Sequence, residues 1–412
     1  LWLPLRLPVR HQHSTMFKNK ENHILLLLAV IQFSDIMDFM IIMPLGPQFM
    51  RVFGISPQQF SLIVSIYAAS AFAMSLFSAA FVDRFDRKTA LLFVYTGFTI
   101  GTLLCSVADG YYLFLAARAI TGAFGGLLGA LVLSAVSDLV PFERRASAMG
   151  MVMTAFSVAS VAGVPLGVFL AAQFSWRAPF LVIGGFALLV LAGIAFLFPS
   201  MKGHHQHGEG RLSPLDVFSG IVRDGNQLRA LAFSVVLMLG HFSIIPFIAP
   251  YMQLNIGFSD HQVSYVYLAG GLASVVVLPT VGRMADRHGN GRVFLLATVF
   301  ALFVIFTITH LPAVPMAIAL LATTAFFVAS GGRNVPATTM VTSVVSPERR
   351  GGFMSVRASA NELGLALASF IAGLIVTRNP DGSLAHYNRV GYFAIAMSIL
   401  AALLASRLKR RD

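Results

Sequence analysis

Charge is scarce in this chain. Asp, Glu, Lys and Arg together make up 11% of its 412 residues, less than half of the roughly 25% usual for a water-soluble domain, which excludes water as the main solvent. Cysteine is nearly absent. Cys105 stands alone, so no disulfide can form within the chain, and its apolar neighbourhood makes it a small packing residue. No Gly-x-x-x-x-Gly-Lys-Ser/Thr loop occurs, which leaves the chain without the usual phosphate cradle for ATP. No His-Glu-x-x-His or comparable cluster of nucleophile, base and metal ligands occurs either, so the expectation is no enzyme, no cofactor and no metal site. His204, His205 and His207 lack a spaced second cluster and read as a solvated segment. The first 15 residues lack the long apolar core and small-residue cleavage site of a secretory signal peptide, and Met16 offers a second candidate start.

Long apolar runs dominate instead. Crossing the hydrocarbon core takes about 20 mainly apolar residues in a helix, and twelve such runs lie roughly at 24–46, 60–82, 89–108, 112–136, 147–172, 178–198, 229–252, 261–282, 292–310, 315–341, 352–377 and 390–407. The fold class predicted is an all-α membrane protein with twelve transmembrane helices. A formal net charge of +12 could indicate nucleic acid, but the Lys and Arg residues alternate by loop rather than collecting on one face. Of 29 basic residues, 22 fall in loops on one side, four on the other and three within spans. Such bias places both termini in the cytoplasm of a cell (inner or plasma) membrane.

A local pattern occurs twice. Asp83-Arg84 after the second span answers Asp286-Arg287 after the eighth, Glu143-Arg144-Arg145 answers Glu348-Arg349-Arg350, and Gly125-Gly126 answers Gly331-Gly332, at offsets of 203, 205 and 206. Three landmarks with nearly one spacing predict two pseudo-symmetric six-helix bundles. The division is a cytoplasmic N-terminal segment at 1–23, an N-terminal bundle at 24–198, a cytoplasmic linker at 199–228, and a C-terminal bundle with a short basic tail at 229–412. Residues 214–222 in the linker suggest a short surface helix.

Several of these residues resemble signatures of the major facilitator superfamily, whose motif after the second helix reads Gly-x-Leu-Ala-Asp-Arg/Lys-x-Gly-Arg-Lys. Gly282-Arg283-Met284-Ala285-Asp286-Arg287-His288-Gly289 fits it well; in the first copy, ending Asp83-Arg84-Phe85-Asp86-Arg87-Lys88, Ala79 and Asp86 replace the usual glycines. The resemblance implies a cytoplasmic latch made of Asp83, Arg87 and Asp138, in which a carboxylate meets a helix N-terminus and an arginine balances it. In the fifth span, Gly150, Ala159, Gly163, Pro165 and Gly167 resemble the glycine-rich motif of the drug:proton antiporter and sugar (arabinose-type) efflux branch, with Val164 inserted and Val168 in place of the last glycine. Small residues permit close helix contact and Pro165 frees a carbonyl, so Gly163, Pro165 and Gly167 are expected to act as a hinge. Pro44-Leu45-Gly46-Pro47 resembles an element of the same branch, as does Trp176-Arg177.

Three acids, Asp35, Asp38 and Glu362, sit well within spans, where a charge costs at least ~2.5 kcal/mol on insertion scales. Asp35 and Asp38 project from neighbouring positions one turn apart, and their burial and mutual repulsion suit proton exchange. Arg118 lies in an Arg-x-x-x-Gly pattern that the family places in the fourth helix, and is expected to offset one of them. Asp38 is the stronger candidate; polar glue between helices is the competing role for both acids. Arg333, Arg357, Asn361 and Glu362 form a second polar set on the tenth and eleventh spans, read either as a structural ion pair between them or as substrate contacts, and His241 in the seventh span is either a pocket residue or a packing histidine. The function expected is secondary active transport of small drug-, sugar- or metabolite-like solutes by alternating access. The direction favoured by the fifth span is proton-driven efflux by an antiporter working as a monomer, energised by a proton gradient. Proton-linked uptake or facilitated diffusion of a nutrient, and a non-transporting membrane sensor, are the alternatives.

Overall fold

The computed structural model describes residues 11–78, 86–200, 214–346 and 349–410. The first half consists of α1 (His11–Ile41), α2 (Gly46–Val52), α3 (Pro57–Ser78), α4 (Arg87–Val107), α5 (Tyr111–Leu139), α6 (Phe142–Val158), a π-helical turn (Ala159–Gly163), α7 (Val164–Gln173) and α8 (Ala178–Leu197). After α9 (Pro214–Arg223), the second half follows as α10 (Gly225–Phe242), α11 (Ile245–Leu254), α12 (Asp260–His288), α13 (Asn290–Thr309), α14 (Met316–Thr342), α15 (Arg350–Ile375), a two-stranded hairpin of β1 (Thr377–Arg378) and β2 (Leu384–Ala385), and α16 (Tyr387–Ser406). Twelve segments among the described residues are long and apolar enough to cross a bilayer. The chain is a multi-pass membrane protein.

Where single long spans were predicted, three are interrupted, each for a local reason. The first helix stops at Ile41 rather than running to 46, because Pro44 and Pro47 lack amide protons; the chain turns and restarts as α2 with Pro47 in its first turn. The seventh breaks in the same manner between Phe242 and Ile245, and Pro246 opens α11. The fifth widens into the π turn just before Pro165, the kind of local insertion that removes a regular helical bond without ending the helix. Asp224 caps α10, its carboxylate accepting from the amides of Asn226 and Gln227. A capping box of Ser259 and Gln262 starts α12, and Gly289, at φ 90°, ends it in a conformation that few side chains adopt.

The two halves meet along α3 against α15 and along the π turn and α7 against α12. The apolar packing differs between the two ends of the molecule. At the end bearing Arg51, one hydrophobic core runs through both halves, joining Phe49, Phe60 and Trp176 to Phe247, Met252 and Tyr387. At the end bearing Arg87, each half keeps its own core, one containing Leu128 and Phe198, the other Phe233 and Phe353. Arg51 adds a paired contact to Asp260 at 2.9 and 3.0 Å across the shared end. Burial of apolar area is therefore continuous between halves at one face and interrupted at the other.

Candidate functional site

Three spans of the first half converge on Asp38. Arg118, on α5, donates from Nη1 to Asp38 Oδ2 at 2.5 Å, and Thr102, on α4, donates to Asp38 Oδ1 at 3.0 Å. Both ion-pair partners are fully buried. A dry pair of this kind is held by geometry, because removing either partner strands a charge that lipid and protein solvate poorly. The Arg118 guanidinium also lies over the Tyr67 ring, 4.5 Å from its centroid.

Asp35, one turn away, is only partly covered. Tyr67, on α3, donates to its Oδ1 at 2.9 Å. Room for this bond comes from glycine: a Cβ on Gly125 would fall 2.7 Å from the same oxygen and onto the Tyr67 hydroxyl, and one on Gly122 would strike the Tyr67 backbone. Glu362, on α15 of the other half and also partly covered, lies within electrostatic range of Asp35, as do Asp38 and Arg118. The four residues singled out for coupling thus lie within electrostatic range of Asp35, with Asp38 sealed and Asp35 and Glu362 only partly covered.

Aromatic rings carry this junction into the second half. Tyr67 packs on Phe39 at 5.2 Å between centroids, Phe39 meets Phe242 across the halves at 6.3 Å, Phe242 touches His241 at 4.9 Å, and His241 stacks on Phe326 at 6.2 Å. Tyr67, Thr102, Phe39 and Phe242 were not among the residues expected from sequence, since neutral polar and aromatic residues give no distinctive signal in an apolar span. The pairing of Gly122 and Gly125 in α5 was the one available hint that a neighbouring backbone and a bulky side chain approach there.

Arg333, Arg357 and Asn361 do not form one set with Glu362. Arg333 donates to Ser398 on α16 at 2.8 Å, while Arg357 reaches the hydroxyls of Ser234 and Thr338, each at 3.2 Å. Neither arginine pairs with an acid among the described residues, and the buried Oδ1 of Asn361 has no hydrogen-bond partner there. The latch is partly visible. Arg87 meets Asp138 at 2.9 Å with its side chain buried, whereas Asp83 and Arg84 lie outside the described residues, as do His204, His205 and His207. The second copy differs: Asp286 and Arg287 are exposed and form no ion pair among the described residues, and Gly282 sits in open packing with only Val335 nearby. At the hinge, Gly163 and Gly167 press against Met37 and Ile41 of α1, where a Cβ would collide, and Pro165 stands in the first turn of α7.

The model of the Major Facilitator Superfamily matches residues 28–243 and 230–412. This chain belongs to that superfamily. It is a transporter by family. Among curated relatives, it is 25% identical over 371 residues to the uncharacterized MFS-type transporter YwfA of Bacillus subtilis (strain 168), covering 89% of this chain and 87% of the relative. Its fold matches the crystal structure of a bacterial homolog of the human lysosomal transporter Spinster, in an inward-facing and occupied conformation, with a TM-score of 0.73 at 16% identity over 95% of this chain and 98% of that one. It also matches a D-xylose-proton symporter with a TM-score of 0.74 at 18% identity, over 94% and 97% of the two chains.

Proposed function

We infer that this transporter is a proton-coupled efflux antiporter for small organic solutes, working by alternating access between the two halves. The observation that supports it is the arrangement around Asp35: a partly covered carboxylate, held by Tyr67 and within electrostatic range of Glu362 of the other half. Intramembrane acids at a bundle junction are the usual carriers of protons in transporters. In this reading Asp35 exchanges the proton, while the sealed Asp38–Arg118 pair supplies a fixed field and fixes the spacing of α1 and α5. Proton binding to Asp35 removes its hold on a hydrogen-bond donor of the solute, so proton and solute compete for one carboxylate.

Loop charge supports placing the Arg87 end and both termini in the cytoplasm. On that orientation the shared core at the Arg51 end closes the outside, and the separate cores at the Arg87 end leave the inside parted. Proton-linked uptake is the second reading, since the fold also serves a D-xylose-proton symporter. Everted vesicles distinguish them. In an antiporter, protons leave the vesicle as solute enters, and Asp35→Asn abolishes that flux while leaving solute-for-solute exchange. Solute entry without proton movement in the wild type would overturn the coupling, and protons moving in with solute would establish symport.

A further inference from the structure

The halves treat their buried guanidinium groups differently. Arg118 has Asp38. Arg333, 1% exposed on α14, has one hydroxyl partner, Ser398, while its Nε and Nη2 find no acceptor among the described residues. By the Gly-Gly landmark offset of 206, the matching position in the first half is Leu127, which sits in an apolar core. An apolar side chain thus serves this point of the bundle in one half. A guanidinium cannot shed its charge, and desolvating one without a counterion is costly. The arginine is therefore poorly explained as packing.

Other unsatisfied groups surround it. Ser330, one turn before Arg333 on α14, has a buried hydroxyl with no partner among the described residues. His241, on α10, lies within electrostatic range of Arg333, and its ring forms no hydrogen bond among the described residues. The ring is half-buried, lies 27° from parallel to Phe326 and touches Phe242, which reaches the junction through Phe39. Polar groups with unused hydrogen-bonding capacity thus lie in the second half beside two phenyl rings that lead back to the junction.

We propose that Arg333, Ser330 and His241 form a carboxylate subsite, and that the transported solute is a monocarboxylate whose apolar or aromatic body lies against Phe242 and Phe326. This rests on the reading of the junction as the transport path. One planar guanidinium with two free N–H positions matches the two oxygens of a carboxylate. A single positive charge is neutralised by a monoanion and overmatched by a phosphate dianion.

The purified full-length protein in lipid nanodiscs tests this by calorimetry and thermal shift. The probes are benzoate and cyclohexanecarboxylate, their neutral carboxamides, and inorganic phosphate. The carboxylates are expected to bind and raise Tm, with carboxamides and phosphate at least ~10-fold weaker, the scale of a lost charged hydrogen bond. Arg333→Gln should weaken benzoate by about 10- to 100-fold, Arg333→Lys should fall between it and the wild type, and Arg389→Gln, at an exposed arginine in the first turn of α16, should leave binding unchanged. His241→Gln and Ser330→Ala give the same reading, with smaller losses, if Arg333 variants fail to fold. The proposal is overturned if the wild type ignores both carboxylates, binds the carboxamides or phosphate as well, or if every folded variant of Arg333, His241 and Ser330 binds benzoate unchanged. Because this experiment reads binding without transport, its failure leaves the vesicle test of proton coupling standing, and the reverse also holds.

Discussion

A Cβ on Gly125 would stand 2.7 Å from the Asp35 carboxylate, so the absence of a side chain on α5 is what lets Tyr67 reach across from α3. Gly125→Ala is expected to push Tyr67 from Asp35, costing about 1–3 kcal/mol of overpacking and lowering transport more than it lowers expression. Gly185→Ala is the control, because nothing lies within 4 Å of its added Cβ. Vesicle transport normalised to folded protein checks the difference, and equal behaviour of the two variants would remove the spacing role.

Asp38 and Arg118 should behave as one unit. Either Asp38→Asn or Arg118→Gln alone leaves a buried group uncompensated and is expected to destabilise by about 3–5 kcal/mol. Together they should cost clearly less than the sum of the singles. A double-mutant cycle on thermal unfolding of the purified protein measures the coupling, and additive losses would show that the pair is not a unit.

Arg51 and Asp260 join the halves at the shared face with side chains 47% and 34% exposed, so the pair is worth only about 0.2–1 kcal/mol. Arg51→Asp is expected to open this face more often. A cysteine introduced at Ser61, against Gly373 of α15, should then react faster with a membrane-impermeant maleimide, by up to about 5-fold. Adding Asp260→Arg should return the rate to that of the protein with Arg51 and Asp260 in place. An unchanged rate in Arg51→Asp would assign closure to the apolar core alone.

Much of the architecture was legible because the bilayer imposes one requirement that hydropathy reports directly: the expected second span at 60–82 and sixth at 178–198 meet helices beginning at Pro57 and Ala178. The breaks at Pro44 and Ser243 were hidden, since Pro, Gly and Ser inside an apolar run barely change its hydropathy. At the site, Arg118 against Asp38 was readable because two opposite charges in hydrocarbon have few alternatives. Arg333, Arg357, Asn361 and Glu362 read as one polar set in sequence, yet five residues place Arg357 and Glu362 roughly 140° apart around α15, so Arg357 reaches Ser234 while Glu362 lies within electrostatic range of Asp35. Tyr67 and Thr102 were silent because a neutral hydroxyl costs little wherever it sits.

The π turn at Ala159–Gly163 carries one extra residue within its width. Everything from Val164 onward is therefore rotated by roughly 100° relative to a plain continuation of α6. Gly163 and Gly167 look inward to α1, while the carbonyl of Ser160, on the bulge itself, stands 2.9 Å from where a Cβ on Gly271 of the opposite half would fall. The fifth span consequently works as two short rods out of phase, joined by a crumple. A bulge displaced by one residue would re-aim the side chain it passed by roughly 100°, with the rods on either side left intact.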